Sequence, residues 1–409
     1  MGKLYNFFVV DDDPIAVKLM ESFLVTKGHR LSASYPNQNI VDEIVEEKPD
    51  CVLLDIMMPG IDGIEILRRL RAKPELNSIK VVIVSGKSYE FDRRRAFSLG
   101  ADGYFIKPVD PRKFVSDLEK IVEDKIRLTF WGVHGTLPVP GKKYIRYGGN
   151  TSCLTLEFPR GIFFIFDAGT GIKVLSDHLM AQKILYSQSK IFISHPHWDH
   201  INALPFFAPL YIQGNEFEIL GPMQGDKTMR ELISGQMEGV YFPINLKEFS
   251  ARVYFRDLRE EAFEIDNIKI KSLLLNHPGY CLGYRIEYKD RKICYVTDNE
   301  IYPKTSKFHN EDYYQKFTDF IFSADALIID CTYTDKEYEK KMCWGHSALK
   351  QVVDIAAFSK VKNLYLYHHD PEHTDDDIDI KVRDAEIMLT EKSSQTKCLA
   401  PKEGQVFEV

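Results

Sequence analysis

The sequence predicts an α/β protein in two parts: a doubly wound five-stranded parallel sheet, then a larger domain in which two sheets pack on each other between flanking helices. Three observations carry this. Over residues 1–125, short apolar runs alternate with segments of helical period, the pattern of a parallel sheet with crossover helices. After Ile126 the texture changes to short β runs punctuated by glycine. The chain of 409 residues, 44% hydrophobic and 28% charged with a formal net charge of −7, has length for two or three domains with buried cores. That composition excludes one small domain and excludes a disordered or collagen-like chain.

In the first part the expected strands are Tyr5 to Val10, Arg30 to Tyr35, Cys51 to Ile56, Lys80 to Ser85 and Gly103 to Ile106. Between them, Pro14 to Lys27 sets Ile15, Leu19, Met20, Phe23 and Leu24 on one helical face and stops at Gly28. Ile40 to Glu47, Gly63 to Lys73, Tyr89 to Leu99 and Pro111 to Asp124 supply the other helices. In the second part the β runs lie in RLTFWGVHGTLPVPG, SCLTLEF, GIFFIFDAGTG, KIFISHPHWDH, KIKSLLLNHPG, YRIEYK, KICYVTD, DALIIDCTY and LYLYHH, with helices at Asp226 to Met237 and Ser347 to Lys360. The expected domains are 1–125 and 126–409. The last helix of the first runs almost directly into the first strand of the second, which predicts a restricted orientation between them.

The mild acidity disfavours a strongly basic nucleic-acid binder, and the run Arg93, Arg94, Arg95 reads as a solvated helix face or partner surface. Seven scattered cysteines without a C-x-x-C pair suit a reducing compartment. No apolar run approaches the ~20 residues of a membrane span, and MGKLYNFFVVDDD lacks the apolar core and cleavage site of a signal peptide. A soluble cytoplasmic protein is expected.

Open α/β sheets carry ligands at the C-terminal ends of their strands. There the first part places Asp11, Asp12 and Asp13 after strand one, Asp55 after strand three, Ser85 after strand four and Lys107 after strand five. Clustered carboxylates attract a hard divalent cation such as Mg²⁺, which neutralises an incoming phosphoryl group, and one carboxylate can serve as nucleophile. With VVDDDP, LLDIMMPGIDG, VVIVSG and GADGYFIKPVDP, the set resembles the response-regulator receiver family from Leu4 to about Asp124. The resemblance implies that Asp55 accepts a phosphoryl group from a histidine kinase or small phosphodonor. It implies Mg²⁺ on Asp11, Asp12, Asp55 and the Met57 carbonyl, phosphoryl contacts from Ser85 and Lys107, and Tyr104 as the aromatic switch. Asp13 reads as a helix N-cap.

In the second part His195, His197, Asp199 and His200 form H-x-H-x-D-H directly after the apolar strand KIFIS. Alternate residues leaving a strand point to one side, so His195 and His197 can share one metal while Asp199 and His200 face a second. His277, Asp298 and His368 stand at later strand ends as further ligands. With FDAGTG, SHPHWDH, LNHPGYCLGYRIE, YVTDN and LYLYHH in order, the region from about Ile126 to Val409 resembles the metallo-β-lactamase superfamily, giving an αββα sandwich. GVHGTLP, the NTS of GGNTSC and the histidine of GHSALKQ resemble its ribonuclease Z and cyclic phosphodiesterase branch.

That resemblance implies one metal on His195, His197, His277 and Asp298 and a second on Asp199, His200, His368 and the bridging Asp298. Asp167 would orient the histidine loop from behind, and His346 would contact phosphate and donate a proton. His369, by alternation, points away from the site. Iron redox members carry an acid where His197 stands, which favours hydrolysis. The donors are imidazole and carboxylate without thiolate, which suits Zn²⁺ first, with Mn²⁺ or Fe²⁺ as alternatives.

The expected function is a two-component regulator whose output domain is a dinuclear phosphodiesterase. Between His200 and His277 the chain lacks the glycine-rich extension with which ribonuclease Z grips tRNA, and Trp198 stands where those enzymes often place glycine. A small phosphodiester such as a cyclic nucleotide or dinucleotide is therefore favoured over tRNA or other nucleic acid; Tyr241, Phe242 and Tyr280 read first as core packing and second as aromatic faces for a base. The alternatives are a hydrolase of thioesters or lactones, a ribonuclease Z-like nuclease, and a phosphorylation-switched binding module without catalysis. A homodimer is a further expectation.

Overall fold

A computed structural model describes residues 3–87, 89–182 and 188–409. It divides into two compact units, Met1–Ile126 with Phe158–Gly161, and Arg127–Glu157 with Ile162–Val409.

The first unit is an α/β fold of β1 (Asn6–Val10), α1 (Pro14–Thr26), β2 (Arg30–Ser34), α2 (Ile40–Glu47), β3 (Cys51–Leu54), α3 (Gly63–Arg71), β4 (Lys80–Ser85), α4 (Glu90–Ser98), β5 (Gly103–Ile106) and α5 (Pro111–Glu123). The strands lie in the order β2-β1-β3-β4-β5, all parallel. Alternation sorts the core: Phe7 and Val9 pack towards α1 and α5, whereas Phe8 and Val10 pack towards α2 and α3. Asp13, Asp62 and Asp110 cap α1, α3 and α5, each accepting a backbone N–H two residues on. The inward face of α1 differs from the expected one. Met20 and Leu24 are buried with Ala16, Val17 and Phe23 beside them, while Ile15 and Leu19 are exposed. At about 100° per residue, Ile15 lies some 140° and Leu19 about 100° from Met20, so they fall off the stripe. On α4 the Arg93 guanidinium covers the Phe97 ring and Arg95 is exposed; the side chain of Arg94 lies outside the described residues.

The second unit packs two seven-stranded sheets. The first comprises β6 (Arg127–Gly132), β7 (Cys153–Glu157), β8 (Phe163–Phe166), β9 (Gln188–Phe192), β10 (Glu216–Pro222), β11 (Arg252–Leu258) and β19 (Val406–Glu408), in the order β11-β10-β9-β8-β7-β6-β19. The second runs β12 (Ala262–Ile265), β13 (Ile268–Leu274), β14 (Leu282–Tyr288), β15 (Arg291–Val296), β16 (Ala326–Asp330), β17 (Asn363–Tyr367) and β18 (Lys397–Leu399), in chain order. Between the sheets lies an aromatic layer of Phe130, Phe164, Phe166, Phe192, Tyr284, Tyr295 and Tyr367. Its tyrosine hydroxyls are all satisfied: Tyr284 donates to the Ile193 carbonyl at 2.6 Å, Tyr367 to the Gly132 carbonyl at 2.7 Å and Tyr295 to Asp167 at 2.6 Å. Outside the sheets, α6 (Gly171–Gln182), α7 (Trp198–Ile201) and α8 (Met229–Gln236) accompany the first, and α9 (Glu311–Ile321), α10 (Asp335–Lys341), α11 (Leu349–Phe358) and α12 (Asp375–Glu391) the second.

Two predicted helix starts move. The eighth helix begins at Met229, where Thr228 and Glu231 form a capping box, rather than at Asp226. The eleventh begins at Leu349, because the Ser347 hydroxyl is spent on the Asn299 carbonyl and cannot cap. Among the described residues no helix is long and apolar enough to cross a membrane. The seven cysteines are free thiols, with Cys343 exposed and the others buried.

Candidate active site

Both units bring their chemistry to the C-terminal ends of their strands. In the first, the Lys107 ammonium lies 2.6 Å from Asp11 Oδ2 and 2.6 Å from Asp55 Oδ2. The opposite oxygens are fixed by backbone: Asp11 Oδ1 accepts from the Asp13 N–H and Asp55 Oδ1 from the Met57 N–H, both at 3.0 Å. Asp11, Asp12 and Asp55 converge closely enough to share one cation. Burial pushes the Asp11 carboxyl up in pKa, and the hydrogen bond from Lys107 only partly offsets this. Ser85 is buried beside them, and the Tyr104 hydroxyl donates to the Lys87 carbonyl at 2.9 Å. Gly63 lets α3 start against Asp55, since a Cβ there would sit 1.9 Å from the Asp55 carbonyl oxygen.

In the second unit Asp298, Asp167 and His368 follow the ends of β15, β8 and β17 with φ of 50°, 58° and 57°. This left-handed geometry is one that Asp and His tolerate better than most residues, and it turns each side chain off its strand. Asp298, 2% exposed, offers its two oxygens to two different groups. Oδ2 lies 3.6 Å from His195 Nε2 and 3.7 Å from His277 Nε2, while His277 Nε2 lies 3.1 Å from His197 Nδ1. Oδ1 lies 3.2 Å from His200 Nε2 and 3.1 Å from His368 Nε2, and Asp199 Oδ2 is 3.1 and 3.2 Å from the same two nitrogens.

Buried imidazoles need partners. His195 Nε2 and His200 Nε2 are sealed from solvent and make no hydrogen bond, although carboxylates stand this close. Nitrogens and oxygens that crowd together without bonding each other are aimed at points between them, which is how a metal's donor set is arranged. The residues therefore fit two divalent cations, and the imidazole–carboxylate set suits Zn²⁺, Mn²⁺ or Fe²⁺. Burial holds the His195 imidazole well below its ordinary pKa, assisted by His200. Burial opposes ionisation of Asp298 as well, but His368, His200 and His195 outweigh it and hold the carboxyl well below the usual range.

Behind the donors a second layer fixes the rings of His200, His277 and His368. Asp167 Oδ2 accepts from His200 Nδ1 at 2.7 Å, from Tyr295 and from the Ser194 hydroxyl, while its Oδ1 takes the Ser194 N–H. His277 Nδ1 meets the Gly345 carbonyl at 3.0 Å, and His368 Nδ1 the Thr332 hydroxyl at 3.1 Å. The Thr136 N–H of the GVHGTLP loop donates to Asp199 Oδ2 at 2.7 Å. The NTS segment braces that loop: the Asn150 carbonyl accepts from Val133 and His134, and its side-chain amide bonds Glu403. The His369 ring faces His134 and Tyr147 instead, and Cys281 touches His195 at Nδ1 rather than at its inward nitrogen. His346 stacks on His368, with Nδ1 2.8 Å from Asp330. Burial works against its charged form, but Asp330 raises the pKa to about 9.

Sequence reasoning passed over Asp330 and Glu300. Asp330 ends the apolar strand in DALIIDCTY, the same strand-end placement that singled out Asp298. Its oxygens also take the Asn299 N–H and the Thr332 N–H and hydroxyl. Glu300 is fully buried and accepts from the Tyr338 hydroxyl and from the N–H groups of Cys343 and Gly345. No local pattern marked it.

Comparison with known proteins bears on both units. Residues 7–119 match the response regulator receiver domain, and residues 164–369 match the beta-lactamase superfamily domain. Among solved structures the chain is similar to the metallo-beta-lactamase fold protein YhfI of Bacillus subtilis, at 18% identity over 70% of this chain and 100% of that one, with a TM-score of 0.50. It is similar to unliganded yeast PDE1, at 12% identity over 70% and 99%, with a TM-score of 0.51. The BeF3-activated N-terminal receiver domain of Klebsiella pneumoniae RstA is 26% identical over 29% of this chain and 97% of its own, with a TM-score of 0.27. The likeness to YhfI and PDE1 is one of fold; divalent-metal binding is implied by the family match together with the converging His and Asp donors. The chain belongs to the β-lactamase superfamily and carries a response regulator receiver domain ahead of its metallo-β-lactamase fold.

Proposed function

We propose that the chain is a two-component effector in which residues 1–125 take a phosphoryl group on Asp55 and residues 126–409 hydrolyse a small phosphodiester, such as a cyclic nucleotide or dinucleotide, in the cytoplasm. The phosphoryl donor is a histidine kinase or a small phosphodonor. In the hydrolase, one cation takes His195, His197, His277 and Asp298, and the other takes Asp199, His200, His368 and Asp298. The observation that supports this most is the single buried carboxylate of Asp298, whose two oxygens face two separate histidine groups. Cations held there would supply Lewis acidity, lowering the pKa of a bound water towards about 7 and stabilising negative charge that develops at phosphorus.

The chain's own residues do the positioning. Asp167, Gly345 and Thr332 occupy the outer nitrogens of His200, His277 and His368 and so turn the inner nitrogens to the site. Asp330 holds His346 by Nδ1, which leaves Nε2 to donate a proton to the departing alkoxide. In the receiver, Asp11, Asp12, Asp55 and the Met57 carbonyl hold Mg²⁺. Lys107 and Ser85 meet the phosphoryl oxygens, and Tyr104 responds to them as the switch.

Hydrolysis of bis(p-nitrophenyl) phosphate and of a cyclic-nucleotide panel, with Zn²⁺ or Mn²⁺ and with and without beryllofluoride, tests both halves. The expected result is metal-dependent turnover whose rate or assembly state changes with beryllofluoride. Turnover of thioesters or lactones alone, at full metal occupancy, would overturn the phosphodiesterase; an identical rate and assembly state with and without the mimic would overturn the control by Asp55.

A further inference from the structure

Just past β15 three consecutive residues turn into the interior, and each holds a different part of the site. Asp298 offers its oxygens to the histidines; Asn299 and Glu300 follow it, both fully buried. A buried carboxylate is costly unless its oxygens are hydrogen-bonded, and those of Glu300 are spent on one loop and its support. Oε1 accepts the Tyr338 hydroxyl and the Cys343 N–H, each at 2.7 Å, and Oε2 accepts the Gly345 N–H at 2.8 Å. That loop is left-handed at two places, with φ of 69° at Cys343 and 86° at Gly345. Such backbone persists where its surroundings enforce it, and Glu300 takes the N–H of both residues.

The same residue reaches His277 by two routes. Gly345 passes so close to the ring that a Cβ would fall 2.4 Å from Nδ1, and its carbonyl accepts the Nδ1 proton at 3.0 Å. On the other side, the Glu300 N–H donates to the Asn276 carbonyl at 2.9 Å, and the Asn276 side-chain amide donates to the Glu300 carbonyl at 3.2 Å. The residue before His277 is thus tied to Glu300 as well. Gly345 is also the residue before His346. Beyond it the loop is closed by Ser347, whose hydroxyl donates to the Asn299 carbonyl at 2.5 Å and accepts the Ile301 N–H at 3.1 Å. His277 and His346 therefore stand on one clamp, with ring centroids 5.2 Å apart.

We propose that Glu300 is a positioning residue that couples the cation on His277 to the loop carrying His346, so that filling this position fixes the loop and freeing the loop loosens the position. The inference rests on the two-cation reading and adds to it a carboxylate that acts only through other residues. Coupling of this kind is reciprocal: the factor by which the held loop raises affinity for the cation is the factor by which the cation favours the held loop.

The isosteric Glu300→Gln tests it, because its amide oxygen can serve only one side of the clamp while its NH2 group meets an N–H donor on the other. In a Zn²⁺ titration of the full chain against a chromogenic chelator, with Mg²⁺ in excess for the receiver, the wild type should take two ions. Glu300→Gln should weaken one of them roughly 10- to 100-fold and leave the other within a few-fold. In hydrogen exchange, Zn²⁺ should slow the amides of residues 343–347 in the wild type and not in Glu300→Gln. Tyr338→Phe removes one hydrogen bond from Glu300 but none from the loop, so both readouts should match the wild type. Gly345→Ala displaces the carbonyl while leaving Glu300 in place, should weaken the same ion, and decides the matter if Glu300→Gln fails to fold. Unchanged affinity in both Glu300→Gln and Gly345→Ala, equal loss of both ions, or the same loss in Tyr338→Phe, would overturn the coupling. So would a wild-type loop whose exchange ignores Zn²⁺. A wild type that takes only one Zn²⁺ and still shows the slowing would instead overturn the two-cation reading and keep the coupling.

Discussion

The two sites sit at the same place on their sheets and solve opposite charge problems. In the receiver, carboxylates converge on a cation that the chain itself supplies, the Lys107 ammonium between Asp11 and Asp55. In the hydrolase, histidines converge on a carboxylate, Asp298, and two of their inward nitrogens are left without a hydrogen bond. In the first site one ammonium faces three carboxylates, so the protein offsets their charge only in part. On the proposed reading the second is completed by ions, so its folding should be coupled to metal binding more strongly than that of the receiver.

The largest effect should come from the residue on which both metal groups depend. Asp298→Asn keeps a side chain that tolerates φ 50° but removes the bridging charge. Phosphodiester turnover should fall roughly 10³-fold or more, whereas Asp55→Asn should abolish phosphoryl uptake and leave the Zn²⁺ content of the hydrolase unchanged. Loss of bound Zn²⁺ in Asp55→Asn, read by elemental analysis, would break the contrast. Next comes chelation. Removing ions present at 100 to 1,000 times their Kd should cost the hydrolase about 3–4 kcal/mol. Hydrogen exchange should then quicken in β15–β17 with β1–β5 unaffected; equal quickening in both would contradict the coupling. Asp167→Asn should lower metal affinity about 10- to 100-fold, because His200 loses the acceptor that fixes its ring. Competition with a chromogenic chelator reads this directly, and unaltered affinity would remove Asp167 from the account. The smallest effect should be Gly345→Ala. The strain at φ 86° and the crowding of His277 should cost about 1–2 kcal/mol in urea unfolding. A Gly345→Ala protein as stable as the wild type would show that the loop shifts freely.

The same contrast explains what the sequence could reveal. In the receiver, strand, cap and ligand are neighbours in the chain, so Asp13 reads as a cap and Asp55 as a strand-end carboxylate from local pattern alone. In the hydrolase, the compact H-x-H-x-D-H is legible in the same way. Of its supports only Asp167 was legible, through the FDAGTG motif; Glu300 and Asp330 act on the distant Gly345 and His346, with no local pattern to mark Glu300. Helices escaped for another reason. The buried stripe of α12 runs through Ile378, Ala385 and Leu389 but includes Lys381, whose ammonium donates to the Cys331 carbonyl at 2.8 Å. A lysine inside the apolar stripe hides the helical period, just as the adjacent charges Arg256 and Asp257 break the alternation of edge strand β11.

The central claim is that one carboxylate serves two metals. Elemental analysis of the purified chain, stripped of metal and reloaded with Zn²⁺, tests it most directly when wild type and Asp298→Asn are measured side by side. The account predicts two ions per wild-type chain and a loss from both positions in the variant. One ion in the wild type, or two retained in Asp298→Asn, would contradict it.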